Sequence, residues 1–296
     1  MRPMFQGSIV ALVTPFRNGA VDEAKLRELV ELHATNGTDG IVPCGTTGES
    51  PTLSHDEHKR VVEIVVEAAR GRLPIIAGTG SNSTVEAIDL TRHAKRAGAT
   101  AALVVSPYYN KPTQEGLYRH FRAIAESVDL PIILYNIAGR TAINVETDTL
   151  VRLVKDCPGI VGVKEASGSL DQMTQVILAC GADFSVLSGD DNLTLPLMAV
   201  GGRGVISVIA NLVPKETAEL THAALSGDWK LARDLHHRLY PLSRAAFLET
   251  NPIPIKEAMA MLGMLEPEFR LPMCRMGDAN REKLRGVLRQ LGLLKG

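Results

Sequence analysis

Lys164 follows the apolar run Ile160-Val161-Gly162-Val163 and precedes Glu165. An ammonium at the end of a buried strand is costly to desolvate, so burial favours the neutral amine, the form that attacks a ketone to give a Schiff base. Strand alternation places Ile160, Gly162 and Lys164 on one face, with Gly162 leaving room beneath the lysine. The competing assignment is a strand-end lysine paired with Glu165 or Asp190. Gly45-Thr46-Thr47-Gly48 offers consecutive backbone N–H groups and two hydroxyls, a small nest for a carboxylate, or else an ordinary tight turn. Tyr135 closes another apolar run, where a phenol passes protons while its ring packs, or simply fills a core. Arg140, five residues on, carries the fork that grips a carboxylate bidentately; its other reading is a surface loop arginine.

Other polar groups point away from metals. His55 and His58 have H-x-x-H spacing, but no third-ligand pattern such as HExxH accompanies them, so no metal is expected. Asp190-Asp191 could bind magnesium; as a cap for the following helix, NLTLPLMAV, it has a simpler role. There is no Walker-type motif, and Gly201-Gly202-x-Gly204 precedes a strand, on the wrong face of a barrel for phosphate, which leaves turn and packing. Cys44, Cys157, Cys180 and Cys274 are scattered without CxxC spacing, consistent with reduced, structural thiols.

These residues need a frame. GSIVALVTPF, DGIVPCGTTG, LPIIAGTG, AALVVSPYY, PIILYNI, IVGVKEAS, FSVLSGDD and GVISVIAN recur with helical stretches between them. Strands apolar on both faces belong to a parallel sheet, and eight β/α units make a TIM barrel, an α/β fold whose chemistry sits at the C-terminal ends of the strands. Thr46, Thr47, Tyr108, Tyr109, Tyr135, Lys164 and Asp190 all follow such runs. Ser54-x-x-Glu57 and Ser83-x-x-Glu86 read as capping boxes, and Ser169-x-x-Gln172 as the glutamine version. From about Val213 only helical periodicity remains, interrupted by NPIPIK and LEPEFRLP. The expected division is a (β/α)8 barrel over residues 1–226 carrying the site, and a C-terminal helical region over 227–296 that packs on it or builds an oligomer contact.

With 296 residues, 45% hydrophobic and a net charge of -1, the chain has a large core and no polybasic surface to attract nucleic acid or an anionic membrane. Neither a membrane span nor a signal-peptide layout is legible, so a cytoplasmic protein acting on small molecules is expected.

GTTGES, SPYYNKP, YNIAGRT, GVKEASG, LSGDD, GVISV and NPIPIK, in this order, resemble the pyruvate-dependent class I aldolase and lyase family over nearly the whole chain. GRT after YN and the NPIP-K segment favour the branch that condenses pyruvate with L-aspartate 4-semialdehyde on the diaminopimelate route to lysine. The resemblance implies that Lys164 forms the imine, Tyr135 exchanges protons, Thr47 holds the pyruvate carboxylate and Ile206 contributes a backbone carbonyl. It implies a proton relay through Thr46 and Tyr109, with Tyr109 reaching into a neighbouring subunit, hence a homo-oligomer, usually a dimer of dimers. Arg140 would bind the semialdehyde carboxylate, and no cofactor is needed. An inhibitory L-lysine site would comprise Ser50, His55, His58, Asn82, Glu86 and Tyr108. Ala138 departs from the commoner YNxP pattern, in the loop that carries Arg140. Within the family, a different aldehyde partner, as in N-acetylneuraminate lyase or a sugar-acid aldolase, is the alternative; outside it, a barrel kept as a binding scaffold without turnover.

Overall fold

The apolar runs become eight parallel strands among the described residues, 4–294 of the computed structural model. They are β1 (Gly7–Ala11), β2 (Gly40–Val42), β3 (Ile76–Gly78), β4 (Ala101–Val105), β5 (Ile132–Asn136), β6 (Ile160–Glu165), β7 (Ser185–Ser188) and β8 (Gly204–Ser207). Each pairs with its sequence neighbour, β8 pairs with β1, and a bridge between Ile41 and Ile75 joins β2 to β3, which closes the barrel.

Alternation sorts the side chains into two layers. Ile9, Val42, Ile76, Leu103, Ile133, Tyr135, Leu187 and Ile206 share the barrel interior. Val10, Ile41, Ala77, Val104, Leu134, Val163 and Val186 belong to the larger cluster that includes the helices. Burial on both faces is why these strands read as continuous apolar runs.

One strand breaks the pattern. Between β5 and β6 the partners run Ile132 with Ile160, then Ile133 with Gly162, so Val161 is an extra residue, a β-bulge. Ile160 therefore packs in the outer cluster, not on the face of Gly162 and Lys164, while Val161 packs against the interior. The room attributed to Gly162 also serves a different neighbour. A β-carbon there would meet the Ser185 carbonyl oxygen at 2.7 Å, so it is β7 that approaches.

Helices α1 (Glu23–Thr35), α2 (His55–Ala69), α3 (Thr84–Ala97), α4 (Gln114–Ser127), α5 (Thr147–Asp156), α6 (Leu170–Cys180), α7 (Thr194–Ala199) and α8 (Pro214–Ser226) surround the strands. Ser54 and Glu57 form a complete capping box at α2. Ser83 does not cap α3 with its side chain, and the other half of the box is missing too, because the Ser83 N–H donates to Ser81 Oγ while Glu86 is engaged by Ser81 and His55. Ser169 accepts from the Gln172 N–H, but the Gln172 amide turns toward Glu165, so that box is half formed.

After Gly227, in the left-handed region at φ 85°, come α9 (Trp229–Ala245), α10 (Ile253–Met261) and α11 (Asp278–Gln290). NPIPIK leads into α10, so most of it is helix; LEPEFRLP is a loop, as expected. α9 lies against α8, and α11 against α9 and α10. Among the described residues no helix is long and apolar enough to cross a membrane.

Candidate active site

The β5–β6 register sets Tyr135 beside Lys164 and Asn136 beside Glu165. Lys164 is 5% exposed, and its Nζ lies 4.1 Å from the centroid of the Tyr135 ring. Glu165 points the other way. Its carboxylate accepts from Asn136 Nδ2 at 3.2 Å, the Ser167 N–H at 2.8 Å and Gln172 Nε2 at 3.1 Å, and burial raises its pKa against these hydrogen bonds. The strand-end pairing of Lys164 with Glu165 is thereby removed. Burial raises the Asp190 pKa, against the opposing pull of the nearby Lys164 charge.

Asp190 and Asp191 do not cap the following helix with their side chains, contrary to the expectation. Asp191 is buried and accepts from Ser207 Oγ at 2.5 Å and from the Val208 and Ile209 N–H groups at 2.9 and 3.2 Å. It thus fixes the exit of β8, where Ile206 sits in the barrel interior. Burial raises the Asp191 pKa.

Between β2 and α2, Gly45-Thr46-Thr47-Gly48 forms a tight turn. The Gly48 N–H donates back to the Gly45 carbonyl and so leaves the expected nest, and the next N–H, of Glu49, closes on the Thr46 carbonyl. Thr47 is buried and its Oγ1 accepts from Asn251 Nδ2 at 3.0 Å. The Asn251 carbonyl in turn accepts from Arg140 Nη2 at 3.1 Å. Arg140 stands in a single helical turn, Ala138–Thr141, after β5. One residue of the C-terminal region thus ties the two candidate carboxylate-binding groups together.

A cavity of about 230 Å³ opens here, lined by Thr46, Tyr135, Arg140, Ser50 and Tyr108 among others. Lys164, Thr47 and Ile206 are not among the lining residues; the Lys164 amine lies over one face of the Tyr135 ring, which does line the cavity. Tyr109 does not line it: at φ 73° and 90% exposed, this residue projects from the β4–α4 loop into solvent.

Ser50 and Tyr108 share the cavity, His58 contacts Gly78, which also lines it, and His55 pairs with Glu86; Asn82 contacts Asn110. His55 Nε2 meets Glu86 Oε1 at 2.5 Å, and Ser81 Oγ donates to the other oxygen; these contacts, Ser81 first, lower the Glu86 pKa. His58 Nε2 contacts the Gly78 carbonyl at 2.9 Å, leaving Nδ1 buried without a partner, and burial lowers its pKa to about 4. The Asn82 carbonyl accepts from Asn110 Nδ2. Both histidines spend a ring nitrogen on these contacts, and no group of three metal-binding side chains occurs among the described residues.

Asn251, Glu49 and Lys256 were not singled out from the sequence. The signal existed: α10 reads IPIKEAMAM, apolar except for Lys256 and Glu257, and both are fully buried. Charges inside an apolar helix announce buried partners.

The dihydrodipicolinate synthetase family profile matches residues 4–291. The 4-hydroxy-tetrahydrodipicolinate synthase of Syntrophus aciditrophicus is 58% identical, over 98% of this chain and 100% of its own. The crystal structure of dihydrodipicolinate synthase from Aquifex aeolicus superposes with a TM-score of 0.97 at 54% identity, covering 99% of this chain and 100% of that one. A DHDPS from Cyanidioschyzon merolae, solved with lysine bound, gives 0.95 at 42% identity, with coverage of 99% and 100%. The full-length match, the closed barrel and the amine beside Tyr135 agree: the chain belongs to the dihydrodipicolinate synthetase family.

Proposed function

We propose that this chain is a lyase with 4-hydroxy-tetrahydrodipicolinate synthase activity, joining pyruvate to L-aspartate 4-semialdehyde in the cytoplasm. The observation that carries the reading is the Lys164 amine, buried and 4.1 Å from the Tyr135 ring centroid. A primary amine held at the end of a buried barrel strand is the group that forms a Schiff base with a ketone. Lys164 Nζ attacks the ketone, water leaves, and the protonated imine draws electrons from the pyruvate methyl group. Loss of a methyl proton gives an enamine, whose carbon forms the new bond to the aldehyde. The substrate amine then displaces Lys164 as the ring closes. Tyr135 and Thr46 move protons, with Tyr109 supplied by a second subunit; its exposure in the single chain supports that role. Thr47 holds the pyruvate carboxylate, near the Ile206 carbonyl, and Arg140 the semialdehyde carboxylate. The steps call for no metal or organic cofactor.

Arg140 favours this reading over an aldolase for neutral polyols, which has less use for a guanidinium. L-lysine bound among Ser50, His55, His58, Asn82, Glu86 and Tyr108 serves as feedback inhibitor; the His55–Glu86 pair supplies an acidic partner for its amino groups. Residues 1–226 form the catalytic barrel and 227–296 the helical region, within a dimer of dimers.

The test is to treat the protein with pyruvate and borohydride and map the added mass. Attachment at Lys164 is expected, and absence of adduct or attachment elsewhere would sink the proposal. Turnover with aspartate 4-semialdehyde but not with sialic acid, falling as lysine is titrated, completes it.

A further inference from the structure

The ion pair between Lys256 and Glu49 is enclosed: Nζ to Oε1 is 2.5 Å, with side chains 0% and 1% exposed. Lys256 also donates to the Glu268 carbonyl at 2.7 Å and lies over the Phe16 and Phe269 rings, and the second Glu49 oxygen accepts from the Arg270 N–H. Glu49 is the exit residue of the Gly45–Gly48 turn. Its backbone is left-handed at φ 53°, and its N–H closes on the Thr46 carbonyl at 3.1 Å.

A non-glycine residue holds that conformation only where its surroundings over-determine it. An enclosed ion pair adds little stability over well-packed apolar side chains, because desolvation of both charges offsets their attraction. What it does supply is a single distance between the C-terminal region and the turn. The same region reaches Thr47 through Asn251, so the turn is held on both sides by residues that lie some 200 positions away in sequence.

We propose that Glu49 and Lys256 are positioning residues for the Thr46-Thr47 turn, their enclosed pair setting where the pyruvate carboxylate is held. This rests on the reading in which Thr47 binds that carboxylate. Glu49→Gln, Glu49→Ala, Lys256→Met and the double variant Glu49→Gln/Lys256→Met would be compared with the wild type in thermal melting, borohydride trapping and kinetics with both substrates. Lys256→Met alone leaves a buried carboxylate uncompensated and melts low; the double variant removes both charges and recovers most of the melting temperature. Its KM for pyruvate is nonetheless expected to rise about tenfold, with a smaller change for the semialdehyde. Recovery of both melting and pyruvate KM makes the pair merely structural and overturns the inference. Should the double variant not fold, the two Glu49 variants decide. Glutamine keeps an acceptor for Lys256 and stays near the wild-type KM, whereas alanine does not; equal KM values overturn the inference. Trapping at Lys164 with an unshifted KM defeats this inference alone, and absence of trapping in the wild type defeats it together with the functional reading.

Discussion

At the scale of single residues, the reach of Lys164 depends on a missing side chain. A β-carbon on Gly189 would stand 2.5 Å from that of Ala166 and 3.2 Å from Lys164 Cε. Gly189→Ala must therefore shift Ala166, two residues past the lysine, and crowd the Lys164 stem, and turnover is expected to fall about tenfold while circular dichroism is unchanged; a variant with wild-type kcat would show that the amine tolerates displacement. Tyr135→Phe keeps the ring beside the amine but loses the phenol, so imine trapping should persist while kcat drops by about 100-fold or more. Lys164, Tyr135 and Arg140 were legible in the sequence because each closes or follows an apolar run, where polarity needs a reason. Asn251 and Glu49 were not, since their meaning comes from contacts with Thr47 and Lys256, more than 200 residues away.

Among the elements, α2 starts from a fully formed box whose Glu57 is shared with the C-terminal region. Arg270 grips the Glu57 carboxylate with both terminal nitrogens, at 2.7 and 2.6 Å, while the Ser54 N–H donates to it at 2.9 Å. The hydrogen bond from Arg270 is the largest cause that lowers the Glu57 pKa to about 2. A depressed carboxylate contributes stability that is complete above the ordinary glutamate range near 4.5 and is lost as pH falls toward 2. The wild type should therefore melt higher than Glu57→Gln at pH 7, with the gap closing between pH 4.5 and 2; a constant gap would mean the charge is irrelevant. Ser54→Ala should cost about 1 kcal/mol in denaturant unfolding. The order of strands and helices was readable because apolar period and turn residues are local signals. The Ser83 box failed for a physical reason: Glu86 has better partners in Ser81 and His55, which no spacing rule contains.

For the whole molecule, three imidazoles are buried between layers. Burial lowers His33 to about 3 and His58 and His120 to about 4. Each is neutral in the fold, so the unfolded chain binds more protons between about pH 4 and the ordinary value of 6.5, and stability declines as pH falls through that window. Glu165, Asp190 and Asp191, raised by burial, oppose the trend, so the informative quantity is a difference between proteins. His120→Gln should flatten the pH dependence of the urea midpoint between pH 6.5 and 4, by at most about 1.4 kcal/mol per pH unit. Parallel curves for the two proteins would refute this.

The bulge at Val161 settles a question of parity. A barrel strand has only two sides, and every residue added to or removed from it exchanges them for all that follows unless the surplus is absorbed. Here Val161 absorbs it, so Lys164 stands opposite Tyr135 and not opposite Asn136. Deleting Val161 would regularise the ladder and leave the amine facing inward. Inserting one residue between Gly162 and Val163 would turn the amine out among the helices, leaving a barrel with all the same side chains and no reaction.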